Sequence, residues 1–448
     1  MKRATFLRTS AFAAAYPLLH KTAAAEDLQA ILDREIRRSQ SDYVVYVPKS
    51  VDGSTFDNGN EHFLVFDGPD GSMMAVWTQS TSEGAGDHRI MFSRSADEGK
   101  SWQSPKRLAG STRPGDGLQA SWGFPLVSTS GRIYVVYNQY QGIDDVIHQH
   151  TGTMDGVYSD DCGKTWSTPE TVPMPRSAFD HPNPAVPSNW IIWQIPMRDL
   201  TGKYFYGVSR WVSKAVRTPP MTSSWTQWET VIEFCRFENI DDDPAVSAIQ
   251  TTWSPASQAL RVPHYQQPLL SVAQEPSIVR LPDQRLFLVM RTMAGCIWYS
   301  VSADDGVTWS NPSPLLRQDH GLPILEPLCC CPIYQLHDGR YVLLHHNNNG
   351  RVNGCSPEDT HCNRRPAFIA LGEYRPDAQQ PIWFSDSKVL MDNDGERLGP
   401  LKRIDIGVYP SLTSRNGEDV LWHPERKFFL LGKKITAEFL ADLSVPKA

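Results

Sequence analysis

Polar and aromatic side chains with a capacity for chemistry are scattered along this sequence, and none stands in a self-sufficient motif. His345, His346, Asn347, Asn348, Asn349 and Arg351 follow the apolar run 341–344. A loop of that composition can hydrogen-bond sugar hydroxyls, and it can equally be a solvated turn. Asp241, Asp242 and Asp243 offer clustered oxygen ligands for a structural calcium ion, without the loop signature that calcium sites carry. His148, His150, Trp190, Trp193 and Trp211 could wall a sugar site, because aromatic faces stack on sugar rings, or pack into a core. Taken singly, the other reactive residues have ordinary readings. Arg291 suits a surface ion pair, Tyr409 before Pro410 suits a sheet, His62 beside Glu61 suits a structural polar pair, and Asp87 ends a loop, 82–87, rich in turn formers. Brought together they would mean more. A phenol beside a carboxylate is a nucleophile with its base, and nearby arginines grip an acid group in bidentate fashion.

The elements that would position them are written in a repeat. One phrase occurs three times: Ser95, Asp97, Gly99, Ser101, Trp102; then Ser159, Asp161, Gly163, Thr165, Trp166; then Ser302, Asp304, Gly306, Thr308, Trp309. A proline follows each Trp by three residues, at Pro105, Pro169 and Pro312. The Asp carboxylate can accept turn amides, Gly supplies positive φ, and the hydroxyl and Trp pin the turn to a sheet. Apolar strand runs precede the copies, as at 89–93 and 295–301. A composition of 30 Gly, 34 Pro and 46 aromatic residues also points to many short strands joined by turns.

The phrase resembles the Asp-box, or BNR repeat, of the sialidase superfamily. That resemblance implies an all-β fold, a six-bladed β-propeller with its Asp-box turns on the outer rim. Spacing agrees: Asp97 to Asp161 is 64 residues and Asp161 to Asp304 is 143, two such steps with an insertion. The resemblance also assigns roles. Glu275 and Arg291, sixteen residues apart, match the Glu that opens one inner strand and the Arg that closes the next. Tyr409, in Val408-Tyr409-Pro410, resembles the family's nucleophilic tyrosine, with Glu275 as its base. Asp87 sits where the family keeps its acid/base aspartate. Arg365, preferred over Arg364, matches a later arginine of the carboxylate-binding triad. The first arginine of that triad is replaced, because the corresponding place, 25 residues before Asp87, holds His62. A carboxylate on the anomeric carbon would repel an anionic nucleophile, and a neutral phenol avoids this, which is why tyrosine is a known glycosidase exception.

Residues 1–25 read as a signal peptide, with Lys2, Arg3 and Arg8 ahead of an apolar stretch and Ala23-Ala24-Ala25 before Glu26. The expectation is an exported, periplasmic or secreted protein whose single propeller domain spans 26–448. Removing 1–25 takes away four cations and moves the formal charge from −7 to about −11, which disfavours nucleic acid as a partner. No later apolar run approaches the roughly 20 residues of a membrane span. Eight cysteines are read as structural; Cys355 and Cys362 could close a short loop, and no Cys/His spacing resembles a zinc site. No cofactor is expected beyond the calcium considered above. Three functions remain open for a glycan partner: an exo-glycosidase on a terminal acidic sugar (sialic or uronic acid), a propeller polysaccharide lyase, and a non-catalytic glycan-binding propeller.

Overall fold

The computed structural model describes residues 27–447 except 218–225, 227 and 361. The signal peptide expected at 1–25 lies outside the described residues. Six antiparallel sheets follow one another as blades around a central channel, as the repeat implies. Their first, innermost strands are Gly59–Asp67, Ala120–Val127, Trp190–Ile191, Ala273–Arg280, Ile333–Gln335 and Ser411–Arg415. Blade 6 is completed by the N-terminal strand Tyr43–Tyr46, which pairs with Phe429–Lys434 and so ties the start of the propeller to its end. The helix Leu28–Ser39 packs Ile31 and Leu32 against Phe428, Phe429 and Leu431 of blade 6.

Strand sequences reflect position within a blade. Met73–Ser80 is buried along its whole length, because neighbouring blades cover both faces of a second strand. The outer strand Lys106–Gly110 is exposed at its start. Apolar side chains from adjacent blades interdigitate, as where Phe63 and Trp77 of blade 1 meet Trp422 and Leu430 of blade 6. The core is thus a ring of inter-blade interfaces.

The three repeated phrases are turns between the third and fourth strands of blades 1, 2 and 4. In the first, Ser101 donates from its backbone N–H to Asp97 Oδ1 at 2.9 Å and from its hydroxyl to Oδ2 at 2.6 Å, while Gly99 N–H donates to Ser95 Oγ at 2.8 Å. The second and third repeat these bonds. Each turn also clasps the preceding blade. Trp102 packs on Trp422 of blade 6, Trp166 on Phe92 of blade 1 and Trp309 on Phe234 of blade 3. The glycines sit at φ +85°, +80° and +85°, where a Cβ would strike Trp422, Phe92 and Phe205 respectively.

Two substitutions separate these contributions. Asp161→Ala removes exposed turn bonds and is expected to lower stability by about 1 kcal/mol, whereas Gly163→Ala adds left-handed strain and an overpacked contact and should lower it by about 2–4 kcal/mol. Differential scanning calorimetry checks the order, and equal melting temperatures for the two variants would contradict it.

Candidate functional site

The channel mouth is built by a repeated irregularity of the inner strands. His62, Trp122, Glu275 and Tyr409 all lie in the left-handed region, with φ of 59°, 60°, 47° and 57°. For the first three the ladder skips two residues, from Glu61 to Leu64, Ser121 to Phe124 and Gln274 to Ser277. Such bulges re-aim side chains. Three of the four amides are held by a side chain from the preceding blade: Trp122 N–H donates to Thr78 Oγ1 at 3.0 Å, Glu275 N–H to Ser209 Oγ at 2.7 Å and Tyr409 N–H to Cys330 Sγ at 3.1 Å.

The re-aimed side chains meet. Tyr409 Oη donates to Glu275 Oε1 at 2.8 Å, and Arg291 Nη1 donates both to Glu275 Oε1 at 2.6 Å and to Tyr409 Oη at 3.2 Å. Burial, with the Glu275 charge, pushes the Tyr409 phenol well above its ordinary pKa, so it is protonated at neutral pH. Burial works against the Arg291 charge, but Glu275 outweighs it and the guanidinium stays charged. These three groups border a cavity of about 560 Å³, within the range of small-ligand sites. Trp122, Trp211 and His150 form an aromatic wall, with His150 stacked on Trp211 at 4.0 Å between ring centroids. Five cations (Arg291, Arg364, Arg397, Lys402, Arg403) face two carboxylates, Glu83 and Glu275, so the cavity favours an anion.

Three expected residues lie elsewhere. Asp87 is fully buried and does not border the cavity; its carboxylate accepts from Thr81 N–H at 3.1 Å and from the Thr81 hydroxyl at 2.7 Å. The turn chemistry of its loop claims it. Glu83, in the same loop, reaches the cavity instead. Although burial raises its pKa, Arg403 and Lys427 hold it well below the usual carboxylate range. Arg365 pairs in bidentate fashion with Asp392, at 3.0 and 2.7 Å, outside the cavity. Its neighbour Arg364, in the bend that precedes the strand Ala367–Tyr374, borders the site instead, with Nη2 donating to Leu328 O at 2.6 Å. His62 is packed edge-on against Trp122 at 3.8 Å and beside Tyr409 at 5.4 Å between ring centroids, and it does not border the cavity. Burial and Lys427 keep it neutral.

The remaining residues singled out by sequence have definite surroundings. Asp241 is engaged by Arg198 at 2.7 and 2.9 Å and by Thr129 N–H, and Asp243 accepts from Ser130 Oγ, so these two carboxylates serve ion pairs and turns. In the segment 345–351, His345, His346 and Asn348 are buried and hydrogen-bonded, while Asn347, Asn349 and Arg351 are exposed, so the turn is solvated on one side only. Trp190 and Trp193 are core, their indole N–H groups donating to Gly152 O and Pro276 O, while Trp211 reaches the cavity. Cys355 and Cys362 form a disulfide. Arg403 and Lys427 had no motif around them; only the fold brings them to Glu83.

A family model described as a BNR repeat-like domain matches residues 71–417. The chain belongs to the BNR repeat-like family. A search of the curated proteins finds no match. Among solved structures, this BNR propeller is similar to a protein of unknown function from Dyadobacter fermentans, at 13% identity and TM-score 0.55, covering 88% of this chain and 96% of that one. It is similar to the intramolecular trans-sialidase of Ruminococcus gnavus in complex with oseltamivir carboxylate, at 14% and 0.55, covering 92% and 99%. It is also similar to the Trypanosoma rangeli sialidase, at 13% and 0.55, covering 86% and 56%. Identities this low establish a common fold. No helix among the described residues of this BNR propeller is long and apolar enough to cross a membrane.

Burial around the channel predicts a pH response. Burial lowers the pKa of His62 and His150, and brings those of His88 and His345 to about 4. Between the unfolded value of about 6.5 and these folded values, only the unfolded chain takes up the protons, so stability falls as pH falls. Thermal melts should show Tm dropping from pH 6.5 to 4.5, with His88 and His345 each contributing on the order of 1–3 kcal/mol. A flat profile over that window would contradict the neutral, buried state of these rings.

Proposed function

We propose that this protein is an exported glycoside hydrolase that retains configuration and acts from the chain end on a terminal acidic sugar. The observation that carries this reading is the row Tyr409, Glu275 and Arg291, joined by bonds of 2.8 and 2.6 Å at the edge of a cationic cavity. On approach of the anomeric carbon, the Tyr409 oxygen attacks while its proton passes to Glu275, the acceptor it already faces. Arg291, already 3.2 Å from that oxygen, stabilises the phenolate character that develops. Arg364 and Arg403 grip the sugar carboxylate, supplying the charge that His62 does not. A substrate carboxylate that engages Arg403 draws it away from Glu83. The Glu83 pKa then rises, and the group becomes able to protonate the leaving oxygen and later to activate water. Trp122 and Trp211 provide the apolar faces on which a sugar ring rests.

A second reading, β-elimination in a uronate-containing polysaccharide, is favoured by the withdrawal of Asp87 from the cavity. Elimination needs a neutralised carboxylate, a base that takes the C5 proton and a proton for the leaving oxygen; Tyr409, with its own proton passed to Glu275, can take the C5 proton and return it to that oxygen without Asp87.

Purified protein offered α-sialosides, uronate-terminated oligosaccharides and acidic polysaccharides should release a terminal acidic sugar. Unsaturated, ultraviolet-absorbing products would replace the first reading with the second, and binding without turnover would leave a glycan-binding propeller. On the substrate so found, Tyr409→Phe and Glu275→Gln should each lower kcat by about 10²–10⁴-fold with the fold kept. Glu83→Gln should lower kcat far more than Asp87→Asn, and Arg364→Lys should raise KM where Arg365→Lys does not. The reverse order in either pair would reassign the site to Asp87 and Arg365. Export is checked by the N-terminus of the protein recovered outside the cytoplasm, expected at Glu26.

A further inference from the structure

Three buried side chains outside the cavity converge in blade 5. One ligand atom each of Glu326, Cys329 and His346 lies within 4.8 Å of the other two, and all three residues are buried. They come from two segments, the run entering the blade and the end of the strand Tyr341–His345. Their hydrogen bonds orient the group. Glu326 Oε2 accepts from the His346 backbone N–H at 2.5 Å, which fixes the carboxylate against the ring. His346 Nε2 faces Ile406 O at 2.9 Å. A carbonyl can only accept, so Nε2 carries a proton. The other nitrogen, Nδ1, faces Glu326 Oε1 at 3.0 Å. An imidazole whose far N–H is fixed by a backbone carbonyl is the arrangement found behind metal-bound histidines, because it sets the tautomer that leaves a lone pair on the near nitrogen.

We propose that Glu326, Cys329 and His346 form a buried site for a divalent metal ion, with zinc the best fit. A thiolate, an imidazole and a carboxylate are the three donor types zinc accepts, and three protein ligands leave a fourth position open. Soft sulfur excludes magnesium and calcium as the preferred ion. A dication with one thiolate, one carboxylate and a neutral imidazole is charge-balanced, so the positive charge of neighbouring Arg364 remains directed at the cavity. The site joins the segments that carry the channel residues. Ile406 N–H donates to Arg364 O, Arg364 Nη2 to Leu328 O, and Tyr409 N–H to Cys330 Sγ. A metal here would hold 328–330, 364 and 406–409 in one arrangement. Sequence spacing conceals it, since Cys329 and His346 stand seventeen positions apart and neither belongs to a Cys-x-x-Cys or His-x-x-x-His spacing, only to the runs 329–331 and 345–346.

The test uses the full chain, stripped with a chelator during unfolding and refolded with zinc or cobalt(II). One zinc per chain is expected by mass spectrometry of the metal. Zinc-edge absorption should show one sulfur at about 2.3 Å beside nitrogen and oxygen at about 2.0–2.2 Å. The cobalt form should show a thiolate-to-metal charge-transfer band, absent in Cys329→Ser and weakened in His346→Gln. Zinc should also raise Tm, by mass action on the folded state. If Cys329→Ser does not fold, the absorption edge and the cobalt band of the unaltered chain decide alone. Substoichiometric metal with no sulfur shell and no cobalt band would overturn the proposal, leaving a metal-free imidazolium bridging a carboxylate and a thiol. None of these readouts depends on the substrate or on turnover.

Discussion

A bulky residue held in the left-handed region stores about 1–3 kcal/mol of backbone strain, and this propeller holds four of them around one axis. His62, Trp122, Glu275 and Tyr409 stay there because their surroundings over-determine them. Thr78, Ser209 and Cys330 accept the amides of Trp122, Glu275 and Tyr409 in the following blade, so these blades cannot relax without releasing the next. The Asp-boxes act at the opposite radius. Their tryptophans and glycines clasp the preceding blade on the rim, and this keeps the inner strands at the separation the bulges need. Strain at the centre and clasps at the edge are two parts of one arrangement.

Electrostatics builds on that frame. Glu275 and Arg291 are both almost fully buried, and a buried ion pair is tolerated when its remaining hydrogen-bonding capacity is met. Tyr409 meets part of it by donating to Glu275 Oε1 and accepting from the guanidinium, while Glu275 Oε2 has no hydrogen-bond partner among the described residues. The same three bonds that make the pair tolerable align a phenol with a proton acceptor. On the opposite lip, Glu83, Glu61, Arg403 and Lys427 form a second network, with Lys427 bonded to both carboxylates at 2.8 Å and lying over the Tyr409 ring. Of these four, Glu83 and Arg403 border the cavity, so the ion pair between them lies at its edge.

The fold and part of the site were legible before any coordinates. Asp97, Asp161 and Asp304 stand in local phrases whose bonds close within a few residues, so sequence alone determines their turns and the blade count that follows from their spacing. Glu275 and Arg291 were legible through a family resemblance whose sixteen-residue step the two paired strands Ala273–Arg280 and Leu286–Thr292 reproduce. Tyr409 stood out through a family resemblance, not through its own chemistry.

Other assignments belonged to the tertiary structure. Asp87 and Glu83 share one turn-forming loop, and which carboxylate faces inward depends on how Thr81 captures Asp87 and on where blade 6 puts Lys427. Arg364 and Arg365 are neighbours in a bend ahead of the strand Ala367–Tyr374, and only the path of that bend decides that the first reaches the cavity and the second Asp392. Arg403, Trp122 and the Glu326, Cys329 and His346 cluster come from separate segments with no mark on the sequence between them. Local hydrogen bonds are encoded in short spacings and can be read from them. Convergence at a propeller axis is the closure of a ring, and only the assembled blades decide which side chains meet there.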